Sequence, residues 1–162
     1  MTGSTTQFEE LDRDECLELL HGQSIGRVAM DLSSGPPHVV PVNYTVVRGS
    51  IVFRTVPGTK LIRLVSEPIT FEVDEWDREG RTGWSVVVKG MAYEASDREM
   101  EYEDIHLDSA AERQNSRWVR LTPGTITGRR INRPAGHPGE PALVADWRME
   151  TWHGDGVERF PG

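Results

Sequence analysis

Residues 53–61, FRTVPGTKL, place Arg54, Thr55, Thr59 and Lys60 around a Pro57-Gly58 pair. The chemistry these types suit as a group is phosphate binding, which draws on cations, hydroxyl donors and backbone N–H groups at a helix start. Gly58 lets the backbone come close to a ligand. Thr59 and Lys60 open a segment of helical spacing, where the macrodipole favours an anion. The cluster stands against the charge of the whole chain, which has 26 acidic and 18 basic residues and a net charge of -8. Lys60 and Lys89 are the only lysines. Taken singly, each residue also fits an ordinary strand–turn–helix connection with a threonine cap and solvated cations. The residues alone leave both readings open.

Other chemistries find less support. Glu103 and His106 have the E-x-x-H spacing of carboxylate-bridged metal sites, but such sites need matching carboxylates from several helices. A solvated helix face is the simpler reading, and no metal is expected. Cys16 is the only cysteine, which excludes an internal disulfide and a cysteine-clustered zinc site. No residue announces itself as a catalytic acid or base. Trp147 and Trp152 in the tail either anchor it or stack on a ligand.

Composition sets wider bounds. A chain of 162 residues with 36% hydrophobic and 27% charged residues suits one folded domain. No apolar run approaches the roughly 20 residues of a membrane span. The opening MTGSTTQFEELDRDE lacks the basic and apolar regions of a secretory signal, so the expected compartment is the cytoplasm. The acidic balance argues against a nucleic-acid partner, which requires a basic face.

The elements that must hold the phosphate cluster are mostly strands. LDRDECLELLHG (11–22) reads as a short helix capped by Asp12, with Glu15 closing a capping box, Leu11 and Cys16 forming a staple and Gly22 ending it. Strands are expected at 24–30, 38–47, 50–55, 68–77 and 83–96, with Arg48-Gly49 as a hairpin tip. Pro41 marks an edge or a bulge in the second of these. Segments 59–67 and 97–114 have helical character. Residues 117–131 are expected to form two short strands about Pro123-Gly124. Beyond Arg133 a Pro/Gly-rich linker begins, so 1–132 is the expected domain and 133–162 a linker and tail. The sum is a mainly β (α+β) fold of about six antiparallel strands with a few short helices, closed or split into a barrel to hide its edges.

In order and spacing, IGRVAM, PHVVPVNYTVVRGSIVFRTVPGTKLIRLVSEPITFEVDEWD, GWSVVVKGMAYE and RWVRLTPGTITGRRI resemble the pyridoxamine 5'-phosphate oxidase-like flavin-binding split-barrel proteins over about residues 8–132. The resemblance implies a homodimer with a flavin mononucleotide (FMN) in the groove between subunits. It implies that Arg54, Thr55, Thr59 and Lys60 hold the phosphate. Val42, Asn43 and Tyr44 would line the isoalloxazine edge through backbone groups, and Trp84 and Ser85 would add contacts, from the same or the other subunit. The C-terminal substrate-binding segment of the true oxidases has no match here, so the resemblance implies an oxidoreductase acting on some other small molecule. Deazaflavin coenzyme F-420, haem, or a non-enzymatic carrier role are the alternatives it leaves. The low lysine content favours FMN over the acidic-tailed deazaflavin.

Overall fold

The helix announced by its capping grammar forms where those residues direct it. In the computed structural model, which describes residues 7–31, 36–55, 65–79, 82–102 and 116–132, α1 spans Arg13–His21. The Asp12 carboxylate accepts from the backbone N–H of Asp14 and Glu15, and Glu15 accepts in return from the Asp12 N–H at 2.9 Å. These bonds satisfy donors that a helix start otherwise leaves open. Cys16 and Leu20 are buried on its inner face.

The remaining apolar pattern has period two, and strands follow from it. They are β1 (Gln7–Leu11), β2 (Ile25–Met30), β3 (His38–Val47), β4 (Ser50–Thr55), β5 (Pro68–Asp77), β6 (Thr82–Ala95) and β7 (Arg117–Asn132), with a short helix α2 (Asp97–Tyr102) after β6. Every pairing is antiparallel, in the order β1-β7-β4-β3-β2-β5-β6, and β6 pairs back onto β7. Strands β2 to β7 therefore close a six-stranded barrel, and β1 lies beside the far half of β7. The hairpin tip is at Arg48-Gly49, whose φ values of 51° and 76° match the primed turn that such a tight hairpin requires.

Alternate residues fill the barrel. Val28, Tyr44, Ile51, Phe53, Phe71, Val73, Val86, Val88, Val119 and Leu121 form one core with Cys16 and Leu20 of α1. Burial of such side chains contributes about 1.5–3 kcal/mol each before entropy is counted. A second, smaller cluster lies on the outer face, where Val52, Ala95 and Trp118 meet Met100 of α2.

Two expectations need correction. Residues 117–132 form one strand of 16 residues, not two strands about a turn. Pro123-Gly124 is instead an irregularity within the ladder, where Lys89 pairs with Thr125 and Gly90 with Pro123, so Gly124 has no opposite residue. A Cβ on Gly90 would stand 2.0 Å from the Thr122 carbonyl oxygen, and only glycine allows the two backbones to come so close. The second correction is β1, which was not expected. Its pairing with residues 128–132 of β7 makes seven strands among the described residues. The expected helix at 59–67 falls largely outside the described residues, as do the later part of 97–114, the pair Glu103 and His106, and the tail 133–162 with its tryptophans.

Candidate functional site

Phosphate-binding groups were expected where β4 ends, and the ladder there has a distinct form. The β3–β4 pairing stops at Tyr44 opposite Phe53. Arg54 and Thr55 go on to pair with Trp118 and Arg117 of β7. Residues 38–43 of β3 pair with β2 and, among the described strands, have no neighbour on the other side. Pro41 lies on this stretch, where its missing N–H costs no ladder bond.

Strand alternation divides the expected residues between two faces. Thr55 and Val42 point inward and are buried. Arg54 and Asn43 point outward and are half-buried. The Arg54 guanidinium lies over the Trp118 ring, its Cζ 4.3 Å from the centroid. Its Nε is buried and has no hydrogen-bond partner. Arg27, Arg117 and Arg130 by contrast each meet a carboxylate, and so does Arg120, which pairs with Glu99 although its Nε is likewise buried and unbonded. Among the described residues, Arg54 is held by an aromatic face and by no carboxylate. A buried donor without an acceptor is costly, and an oxyanion reaching the outer end of β4 would satisfy it. Thr59 and Lys60, the other half of the cluster, lie outside the described residues.

Tyr44 has a structural duty. Its side chain is 2% exposed, its ring meets Phe71 edge-on at 4.8 Å, and its hydroxyl donates to the Leu20 carbonyl at 2.6 Å. Burial pushes the phenol well above its ordinary value of 10.0. The Tyr44 N–H is also engaged, donating to the Ser24 carbonyl. The tyrosine thus ties α1 to the barrel wall, and its side chain does not face the outer end of β4.

Trp84 and Ser85 are not brought to Arg54. They pair with Glu75 and Asp74 on β5 and with Arg130 and Arg129 on β7. Trp118, which faces Arg54, and Arg130, which faces Trp84, stand twelve positions apart along β7. Trp84 instead lines an open cavity of about 280 Å³ with Glu75, Asp77, Thr82 and Arg130. Within one chain these are two separate places.

Trp118 belongs beside Arg54 and was not among the expected site residues. It stands 64 positions away in sequence and is joined to Arg54 only by the β4–β7 register, for which the local sequence carries no signal.

With this geometry in place, comparison with known proteins decides the family. The model of the pyridoxamine 5'-phosphate oxidase family matches residues 12–130, most of the chain. This chain belongs to that family. The matched span includes all nine expected site residues. This family member is 39% identical over 102 residues to an uncharacterised protein of Mycobacterium tuberculosis, covering 59% of the chain and 66% of the relative, just under two thirds of its length. Among solved structures it resembles the FAD-binding protein from Mycobacterium smegmatis, with 33% identity, a TM-score of 0.64, and coverage of 75% of this chain and 98% of that one. It also resembles an FAD-binding protein from Mesorhizobium loti, with 25% identity, a TM-score of 0.68, and coverage of 80% and 100%. The six-stranded barrel is the split barrel of these neighbours.

Proposed function

We propose that this split-barrel protein binds a flavin nucleotide by its phosphate at the outer end of β4 and acts as an oxidoreductase on a small molecule. The observation that carries the reading is Arg54, a guanidinium held over Trp118 with a buried Nε that lacks an acceptor, at the start of the segment that continues to Thr59 and Lys60. Family membership and the two relatives described as FAD-binding support a flavin. FMN is the flavin proposed. FAD carries the same chemistry at its first phosphate, and titration distinguishes the two. A bound flavin supplies hydride or single-electron transfer. The chain supplies the anchor at Arg54, with Thr59 and Lys60 following it in sequence, and the backbone of β3 at Val42 and Asn43 along the ring; the buried Thr55 side chain faces the core instead.

A homodimer in the cytoplasm is part of the proposal. Trp84 and Ser85 pair with a part of β7 twelve positions from the residues opposite Arg54 and Thr55, and the proposal takes their contribution from the partner copy. The outward Ile25 and Val39, 60% and 61% exposed on the β2–β3 face beside Asn43, offer apolar surface for such a contact.

Titration of the full chain with FMN, FAD and riboflavin, read by flavin fluorescence, tests the phosphate anchor. FMN is expected to bind more tightly than riboflavin. Arg54→Ala with Lys60→Ala should weaken FMN on the order of 10- to 100-fold or more, the worth of one or two charge-assisted hydrogen bonds, and leave riboflavin unchanged. A folded double variant with wild-type FMN affinity sinks the reading.

A further inference from the structure

The cluster around Arg54 contains a residue with no role so far. Trp118 is directly opposite Arg54 in the β4–β7 register, is 5% exposed and is backed by Val52, Ala95 and Met100. It is therefore a fixed platform on the outer face, and Arg54 lies over it at 4.3 Å. A carboxylate partner could also restrain an arginine, but it would occupy the N–H groups of the guanidinium. An indole face restrains the group through its π-cloud and takes none of its in-plane hydrogen bonds. The ring itself takes none of the donors at the edge of the plane, and one of them, Nε, is buried without a hydrogen-bond partner.

We propose that Trp118 is a positioning residue for phosphate recognition: its ring orients the Arg54 guanidinium so that the in-plane donors face a flavin phosphate, and so it sets the preference for phosphorylated flavins over riboflavin. The inference rests on the phosphate reading above. It adds that an aromatic face on another strand makes the arginine effective, so charge alone at position 54 is insufficient.

The test compares FMN and riboflavin affinities of the full-chain wild type with those of W118F, W118L, R54K, R54A and the W118L/R54A double variant. W118L is expected to lose on the order of tenfold in FMN affinity, the size of a desolvated cation–π contact, with riboflavin unchanged. W118F, which keeps an aromatic face, should stay within roughly threefold of wild type. In the R54A background W118L should cost nothing further, since the group it positions is gone. R54K keeps the charge without the planar fork and should lose FMN preference nearly as R54A does. This last variant decides the matter even if W118L fails to fold. Wild-type FMN affinity in R54K, equal losses for both flavins in W118L, or additive losses in the double variant would each overturn the positioning role and leave the phosphate reading standing. A wild type that binds FMN no better than riboflavin removes both.

Discussion

Replacing Tyr44 by phenylalanine separates a structural role from a flavin-contacting one. The change deletes a single oxygen and preserves the ring that meets Phe71. What is lost is the 2.6 Å hydrogen bond to the Leu20 carbonyl, in the last turn of α1. That carbonyl is left without its side-chain donor, which costs about 1–3 kcal/mol when a buried group is unsatisfied. The pH dependence gives a second, independent signature. In the folded chain burial holds the phenol protonated well above 10.0, whereas in the unfolded chain it ionises near that value. Above pH 10 the unfolded state releases a proton that the folded state keeps, so this group's contribution is fully present below pH 10 and falls as pH rises. Linkage sets the loss at roughly 1.4 kcal/mol by pH 11. Y44F lacks the group, so its deficit relative to wild type should shrink by that amount between pH 8 and pH 11. Urea unfolding at both values, followed by circular dichroism, measures the difference and cancels contributions from other titrating groups. A deficit that does not change with pH, or a variant as stable as wild type, refutes the reasoning. Lost FMN affinity with stability unchanged would place the hydroxyl at the cofactor instead.

Three further perturbations test the frame that carries the site. Gly90→Ala puts a Cβ 2.0 Å from the Thr122 oxygen, and the backbone shift it demands should cost about 1–3 kcal/mol or more in urea unfolding; an unchanged midpoint would mean that β6 and β7 are not so close. Asp12→Ala removes the cap of α1 and should lower stability by about 1 kcal/mol, with no loss if the capping box is absent in solution. Cys16 is fully buried and its thiol is pushed above its ordinary value, first by burial and then by Glu15 and Asp12. It should resist a thiol reagent at pH 8 in the native protein and react at once in denaturant, and rapid native labelling would contradict the packing of α1.

Much of the fold was legible because its signals are local. The Asp12 and Glu15 box, the Arg48-Gly49 tip and the period-two runs of β2 to β5 each declare themselves within a few residues. The failures share a cause, which is that the deciding contact lies far away in sequence. Pro123-Gly124 carries the chemistry of a turn, yet Gly90, more than thirty positions earlier, removes the side chain that would hold the two backbones apart. With that space open the ladder absorbs the pair as a bulge and β7 runs on. Strand β1, QFEEL, has only five residues and leaves Phe8 exposed. Its identity depends on the free edge of β7 beyond β4, and nothing in its own sequence announces that edge.

The site divides along the same line. The composition of FRTVPGTKL is enough to suggest an anion, because the types of its residues carry that information. It does not say which of its groups face outward, since Arg54 and Thr55 are equivalent until the inner face of β4 is known. Nor does it indicate what holds the arginine. A guanidinium on a surface strand ordinarily meets a carboxylate, and in a chain this acidic the prior for such a pair is strong. Here the neighbour set by register is Trp118, whose ring accepts the cation without occupying its in-plane donors. An arginine neutralised by a carboxylate would present a weaker and less directed field to a phosphate. The separation that matters for the proposed binding, between a cation paired with a carboxylate and one held by an aromatic face, is therefore created by a strand pairing 64 positions away.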